Sequence, residues 1–338
     1  MKIIVDAMGG DHAPQEIVKG AVRAQRELGV ELVLVGKKEI IEDLLRQEQA
    51  DLNGIRVVDA RDVVTMEDDP STATRRKKDS SMAVALNLLR DGEGDAMVSA
   101  GSTGALLTGA TLTVKRIKGI RRAALAPVLP AGENGVMLID CGANVECTAE
   151  YLLQFAYMGS YYAKKIMGCK DPRIGLLNVG TEDTKGGELQ HQAFALLKQA
   201  HEEGRIHFAG NVEGTGVFDG SVDVVVTDGF TGNVLLKGTE GVIKYMMKAL
   251  KGVFYKSTVN KLAAGVLKKD LTEMKKSMDV NEVGGTALVG ISKPVIKAHG
   301  SSNAASFFAA IRQAVAFANS GIIEDITEHI EYMRLKTE

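Results

Sequence analysis

Short polar segments rich in glycine follow several predicted strands, and they hold the residues with which this chain could do chemistry. Seven such segments occupy residues 6–14, 99–104, 140–147, 178–187, 210–216, 228–233 and 299–303. The carboxyl ends of parallel strands meet at one edge of a sheet, and ligands bind at that edge. We therefore expect several of these segments to build one polar site.

The segment SAGSTG, from Ser99 to Gly104, is the best candidate for an anion-binding turn. Gly101 and Gly104 would expose backbone N–H groups, and Ser102 and Thr103 would add hydroxyl donors at the start of a helix. Helix N-termini carry unpaired N–H groups and partial positive charge, which favour anions. The alternative is an ordinary capped turn without a ligand.

Lys185 and Asn233 are candidates for stabilising negative charge in a reaction. Lys185 lies in the loop TEDTKGG, and Asn233 follows DGFTG at a predicted helix start. A lysine in such a loop could reach an anion or a developing oxyanion. The alternatives are a solvated surface lysine and an asparagine that caps the helix.

Other residues at or near strand ends could belong to the same site. These candidates are Asp6, Gly9, Gly10, His12, Asn144, Thr181, Asp228, His299 and Ser301. The two histidines could bind phosphate or transfer protons, and the alternative for each is a hydrogen-bonded structural imidazole.

Several classes of function are disfavoured. The chain has 41 basic and 43 acidic residues, no tryptophan and 5% aromatic residues, which argues against a nucleic-acid-binding surface. Neither G-x-G-x-x-G nor G-x-x-x-x-G-K-[ST] occurs, so nucleotide cofactors are not expected. No H-x-x-x-H pair exists, and Cys141 and Cys147 lack a second ligand pair, so no metal is expected.

Location is predicted from cysteine usage and hydropathy. Three cysteines without close pairing indicate a reducing cytoplasm. The first ten residues lack the apolar core of a signal peptide, and no run of 18 apolar residues could span a membrane.

Alternating elements predict the fold class. Apolar runs predict strands at 2–6, 31–36, 55–58, 95–98, 123–128, 135–140, 173–178 and 222–227. Helical periodicity predicts helices at 14–28 and 303–319, among others. We expect an α/β protein, a Rossmann-like three-layer α/β/α sandwich with a mostly parallel sheet, in which residues 1–338 form one unit rather than two domains.

Residues 241–279 are expected to protrude from this unit as a basic, amphipathic helical hairpin. Nine lysines and two acidic residues lie between Lys244 and Lys276. Val259, Leu262, Val266 and Leu271 recur at helical spacing and form part of an apolar stripe. Such a helix could touch a membrane, dock an acidic carrier protein, or pack against a second subunit. The proposed contact residues are Lys261, Leu262, Val266, Leu267, Lys268 and Lys269.

A family resemblance covers the chain from the first strand to the last long helix. The matching segments are VDAMGGDHAP, RRKKDSSM, SAGSTGA, CGANVEC, LLQFAYMGS, LNVGTEDTKG, GNVEG, VTDGFTGNV and AHGSSN. With these motifs in this order, the sequence resembles the bacterial phosphate acyltransferases of phospholipid synthesis. The resemblance implies a homodimer whose fold is related to phosphotransacetylases and isocitrate-type dehydrogenases. It also implies that the family's important lysine and asparagine are Lys185 and Asn233.

The activity implied by the resemblance is acyl transfer from acyl carrier protein to inorganic phosphate, without a cofactor. The acyl phosphate would then supply a membrane glycerol-3-phosphate acyltransferase, so we expect a cytoplasmic protein that contacts the inner face of the membrane. The sequence has no Ser-His-Asp or Cys-His signature, so phosphate itself would attack the thioester. We assign phosphate to Ser99–Gly104 and the developing oxyanion to Lys185 and Asn233.

Two other functions stay open at this stage. One is a short-chain phosphotransacetylase that uses coenzyme A, and the other is a non-catalytic scaffold docked on a membrane. A dehydrogenase is disfavoured because the dinucleotide fingerprint is missing.

Overall fold

The computed structural model describes residues 1–132, 134–278 and 284–335 of the chain. Its strands are β1 (Lys2–Asp6), β2 (Glu31–Gly36), β3 (Ile55–Asp59), β4 (Ala96–Ser99), β5 (Ala124–Ala126), β6 (Val128–Leu129), β7 (Val136–Ile139), β8 (Arg173–Leu177), β9 (His207–Val212), β10 (Val224–Val226), β11 (Thr286–Val289) and β12 (Val295–Lys297). Its helices are α1 (Gln15–Leu28), α2 (Lys38–Gln47), α3 (Ala73–Arg76), α4 (Ser81–Arg90), α5 (Thr103–Gly109), α6 (Ala149–Lys165), α7 (Glu188–Glu202), α8 (Gly229–Tyr255), α9 (Thr258–Val266), α10 (Lys268–Ser277), α11 (Ala304–Asn319) and α12 (Ile322–Glu328). A π-helical turn, Ala110–Val114, continues α5.

The larger sheet has the order β3-β2-β1-β4-β12-β11-β5. Its strand pairs are parallel except those of β11, which runs antiparallel to both β12 and β5. Asp6 pairs in register with Ser99, and Ser99 with Lys297, at the carboxyl ends of β1, β4 and β12. Residues in register across parallel strands lie side by side on one face of the sheet. This register therefore brings three polar side chains from distant parts of the chain to one edge.

The smaller sheet has the order β6-β7-β10-β8-β9 and is parallel except for the β6–β7 pair. It is joined to the larger sheet through β5 and β6, which are separated only by Pro127. The Cys141 N–H donates to the Leu125 carbonyl, and the Leu138 N–H donates to the Pro127 carbonyl. The segment after β7 is therefore fixed to the junction between the sheets.

Helices cover the sheets, and the alternation of buried side chains shows which face they cover. Ile3 and Val5 of β1 pack in one hydrophobic cluster with Ile17 of α1 and Phe307 of α11. Ile4 packs in the opposite cluster with residues of α4. The same clusters include residues of the smaller sheet, where α6 and α7 cover one face. The predicted layered α/β architecture is confirmed.

The structure corrects the predicted strand at 123–128. Proline has no N–H to donate to a sheet, and at Pro127 the chain leaves one sheet and enters the other. Three further strands, β9, β11 and β12, were not predicted. They are short or include polar residues, so they lack the apolar runs by which buried strands are detected. The predicted helices at 14–28 and 303–319 are confirmed as α1 and α11.

The basic segment is helical and exposed. Helix α8 is 27 residues long, and Gly229 and Gly232 in its first turn are its buried residues. Helix α9 has no buried residue, and Leu262 and Val266 are 70% and 84% exposed. Residue 279, at the end of the predicted hairpin, lies outside the described residues. Within the described chain, no single helix is long and apolar enough to cross a membrane, although α11 and α12 together, bent by 40°, meet the criteria of length and composition.

Candidate functional site

A cavity of about 140 Å³ lies where the segments after β12 and β7 meet the first turns of α8. It is lined by Thr103, Leu125, Pro127, Val128, Cys141, Asn233, Leu236, Lys237, Glu240, Gly284, Gly285, Thr286, Lys297, Ala298 and His299. Three of the predicted site residues, Thr103, Asn233 and His299, are therefore brought together although they come from widely separated segments. A larger cavity of about 830 Å³ near Val128 and Tyr162 contains none of the predicted residues.

Two hydroxyl groups of the Ser99–Gly104 turn are hydrogen-bonded to other groups of the protein. The Ser99 hydroxyl is buried, donates to Oδ2 of Asp6 at 2.6 Å and accepts the Gly101 N–H at 3.1 Å. Ser102 is the N-cap of α5, as its hydroxyl accepts the Ala105 N–H at 3.5 Å. Ser99, Gly101 and Ser102 thus shape the turn. Thr103 is the residue of this segment that lines the cavity.

The loop after β1 packs directly on this turn. A Cβ atom on Gly9 would lie 2.7 Å from the Gly101 nitrogen, and one on Gly10 would lie 3.0 Å from Cβ of Ala100. Gly10 also has φ +115°, which L side chains rarely adopt. These two glycines therefore permit close backbone approach. His12, in the same loop, is exposed and is not among the residues that line the cavity.

Asn233 is held at the cavity by the packing of α8 against the loop after β7. A side chain on Gly232 would overlap the Asp140 carbonyl oxygen, and a Cβ on Gly142 would lie 3.6 Å from Cγ of Asn233. Asp228 caps α8, since its carboxylate accepts the Thr231 N–H at 2.8 Å. The interpretation of Asn233 as the helix cap is therefore wrong, and its amide is left at the cavity.

Asp140 organises the loop that packs against α8. Its carboxylate accepts hydrogen bonds from the backbone N–H groups of Leu125, Ala143 and Asn144. Asn144 also donates from its side chain to Asp140 and to the Ala123 carbonyl. Burial raises the pKa of Asp140, and the hydrogen bonds oppose that effect. Asn144 therefore fixes the loop and does not line the cavity.

His299 lines the cavity, and its ring is held by Ser301. Its Nδ1 lies 2.8 Å from the Ser301 hydroxyl and accepts the Ser301 N–H at 3.2 Å. Accepting that N–H places the proton of the neutral ring on Nε2. Burial, followed by the charge of Lys297, lowers the pKa of His299, so the imidazole is neutral at neutral pH.

Lys185 and Thr181 lie elsewhere on the described surface. The Lys185 side chain is 48% exposed, and its Nζ lies 3.9 Å from a Glu182 carboxylate oxygen. Thr181 lines a separate cavity with Asn211 and Thr215. Neither residue lines the cavity that contains Asn233.

Lys297 is the site residue that the sequence analysis missed. It is the last residue of β12, is 8% exposed and lines the cavity. The signal was the position of a lysine at the end of an apolar run, two residues before the recognised HGSSN segment. Lys237 and Glu240 also line the cavity and form an ion pair of 3.0 Å.

Cys141 supplies a thiol to the cavity wall. Burial, together with the nearby charge of Asp140, raises its pKa well above the usual value. The thiolate is the nucleophilic form of cysteine, so Cys141 stays protonated and unreactive. In the part of the chain that the structure describes, no group of three or more His, Cys, Asp or Glu side chains could hold a metal ion.

Residues 1–325 match the model of a protein family described as "Fatty acid synthesis protein". The chain belongs to this family. A phosphate acyltransferase of Thermoanaerobacter pseudethanolicus is 45% identical over 334 residues, which cover 98% of each chain. One of Lysinibacillus sphaericus is 45% identical over 337 residues, covering 99% of this chain and 100% of that protein. The predicted family resemblance is confirmed.

The fold is similar to that of a solved phosphotransacetylase from Streptococcus pyogenes. The TM-score is 0.65 at 18% identity, and the similarity covers 94% of each chain. At that identity the likeness concerns the fold alone, and it confirms the expected relation to phosphotransacetylases.

Proposed function

We propose that this protein transfers a fatty acyl group from acyl carrier protein to inorganic phosphate, giving an acyl phosphate for phospholipid synthesis. The observation that carries the proposal is 45% identity, over nearly the whole chain, to a protein named phosphate acyltransferase. The cavity at the sheet edges supports it, because amide, hydroxyl and ammonium donors converge there and the thiol in its wall, Cys141, stays protonated.

In the proposed reaction, an oxygen of hydrogen phosphate attacks the carbonyl carbon of the thioester. The tetrahedral oxyanion collapses, the C–S bond breaks, and the electron pair leaves on sulfur. The proton of the attacking hydrogen phosphate ends on sulfur, so the products are acyl phosphate and free carrier thiol. Fixed donors aimed at developing charge are the principal way to accelerate such a step.

Each group at the site has a proposed task. Thr103, at the start of α5, would donate to phosphate, and Asn233 would donate to the oxyanion. Lys185 would supply charge from its loop as substrate binds, as the resemblance implies. Asp6, Ser99, Gly9 and Gly101 would hold the phosphate-binding turn in shape.

The resemblance supports a second proposal, that the protein is a homodimer which delivers its product to a membrane glycerol-3-phosphate acyltransferase. The exposed helices α8 and α9 support membrane contact. Exposed lysines and an exposed apolar stripe suit an anionic membrane surface. The acyl carrier protein, an acidic partner, could use the same lysines.

The test is direct. Purified protein, palmitoyl-acyl carrier protein and labelled phosphate should give labelled acyl phosphate, and the rate should be unaffected by EDTA. Acetyl-coenzyme A serves as the competing donor. Turnover of acetyl-coenzyme A alone would support the short-chain phosphotransacetylase, and no turnover of either donor would support the scaffold.

A further inference from the structure

Lys297 is a buried cation, and the described residues leave one of its donors unused. An ammonium group has three N–H donors and no acceptor. In Lys297 two of them are directed to backbone carbonyl oxygens, those of Ala298 and, at 3.5 Å, Ala100. Among the described residues no carboxylate lies within 4.0 Å of its Nζ, since no salt bridge of that length includes it.

Such an arrangement is costly unless an anion completes it. A buried charge is normally paired, because losing its hydration is expensive. Hydrogen bonds to two neutral carbonyl groups compensate only part of that loss. The third donor and the uncompensated charge therefore point to a negatively charged ligand in the cavity that Lys297 lines.

The position of Lys297 specifies which ligand. Register across β1, β4 and β12 places it beside Ser99, at the base of the turn that leads to Thr103. Its Nζ bonds the Ala100 carbonyl of that same turn. We propose that Lys297 binds the attacking inorganic phosphate and holds it against the Ser99–Gly104 turn. The inference rests on the proposed function for the identity of the anion.

The charges around Lys297 agree with this role. Burial lowers the pKa of Lys297 to about 8, the carboxylates of Asp11 and Asp6 oppose that shift, and Lys237 adds to it. His299, the next titratable residue along the chain, is neutral at neutral pH. The lysine is therefore charged in the free protein below pH 8 and loses its proton above it. A bound phosphate dianion would favour the charged form.

The experiment measures inorganic phosphate binding without an acyl donor, together with steady-state kinetics. Lys297→Met should raise the phosphate KM about 10- to 100-fold, as expected for losing one charged hydrogen bond. The KM for palmitoyl-acyl carrier protein should change less than about threefold, well below one tenfold step in affinity. The same variant should lose the rise in Tm that phosphate gives the native protein. Lys293→Met is the matched control. Lys293 is half-buried, precedes the first residue of β12 by two positions and does not line the cavity.

A second measurement uses the native protein. Its phosphate affinity should fall as pH rises above about 8, where Lys297 loses its charge although phosphate remains a dianion. In Lys297→Arg, which stays charged, affinity should be partly restored and this fall should be absent.

The outcomes are distinct. Unchanged phosphate binding in Lys297→Met, or unchanged native affinity between pH 7 and about 9.5, would overturn the role of Lys297. A loss of kcat with an unchanged phosphate KM would also overturn it, and would place the lysine at the oxyanion instead. If Lys297 binds phosphate in a protein that makes no acyl phosphate, the proposed function fails and the phosphate site stands.

Discussion

The Ser99 hydroxyl donates a 2.6 Å hydrogen bond to the carboxylate of Asp6, which joins the carboxyl ends of β4 and β1. Both side chains are buried, and within the described part of the chain Oδ1 of Asp6 accepts no hydrogen bond. Burial raises the pKa of Asp6, and hydrogen bonds from Ser81 and Ser99 oppose that shift. Ser99 also accepts the Gly101 N–H, so this pair determines the shape of the turn that leads to Thr103.

Ser99→Ala should therefore destabilise the protein. The substitution removes one donor from a buried carboxylate and one acceptor from a buried N–H, which costs about 1–3 kcal/mol. Urea denaturation should show this as a lower midpoint. Ser221→Ala, at an exposed serine, is the control and should change stability by less than about 0.5 kcal/mol. Equal stability of the two variants would mean that the Asp6–Ser99 bond does not hold the turn.

Gly9→Ala should be more disruptive than Gly300→Ala. A Cβ on Gly9 would lie 2.6 Å from Oδ2 of Asp6 and 2.7 Å from the Gly101 nitrogen, whereas one on Gly300 would have 3.7 Å of clearance. Backbone atoms cannot move aside cheaply, so Gly9→Ala should cost about 1–3 kcal/mol, as other overpacking substitutions do. Thermal denaturation of both variants measures the difference. Similar Tm values would show that the two loops are not packed as closely as described.

Asn233→Ala should reduce turnover with little effect on folding. The amide is exposed to the cavity, and removing one oxyanion donor typically costs about 10²–10³ in kcat. The rate of acyl phosphate formation measures this loss. Asn53→Ala, at an exposed loop residue, is the control. A folded Asn233→Ala variant with native kcat would exclude a role in the reaction.

Lys185→Ala tests whether a lysine outside the cavity takes part. Its half-exposed side chain makes one long ion pair, so stability should change by less than about 0.5 kcal/mol. If the loop brings the Lys185 ammonium group to the bound substrate, Lys185→Ala should lower kcat about 10²-fold or more. Lys170→Ala, at another exposed lysine, is the control. Native activity in Lys185→Ala would leave Lys297 as the lysine of the site.

The double substitution Leu262→Glu and Val266→Glu tests the membrane proposal. Both side chains are exposed on α9, and glutamate there should repel an anionic surface. The variant should keep the native oligomeric state and activity in solution but no longer sediment with anionic vesicles. Leu52→Glu with Met66→Glu changes two other exposed apolar residues and is the control. A monomeric or unfolded variant would show that the stripe packs against a second subunit.

The sequence by itself determined the family, the layered α/β fold and most of the buried strands. These follow from local patterns, since β1, β2 and β8 are largely apolar runs and the glycine-rich segments after β1 and β8 are recognisable motifs. It also identified Thr103, Asn233 and His299, because each lies in such a motif beside a helix start or a strand end.

Only the tertiary structure decided which polar residues share the site. Lys297 reaches it because β12 inserts between β4 and β11, an order that no local pattern encodes. Ser99 is turned inward by a bond to Asp6, which lies 93 residues away in the sequence, and the Gly101 N–H in turn bonds the Ser99 hydroxyl. Lys185 follows β8, the neighbour of β10 in the smaller sheet, yet its side chain is half-exposed beside Glu182 and does not line the cavity. Motifs record residue types along the chain, whereas strand order and packing set the distances across which charges and hydrogen bonds act.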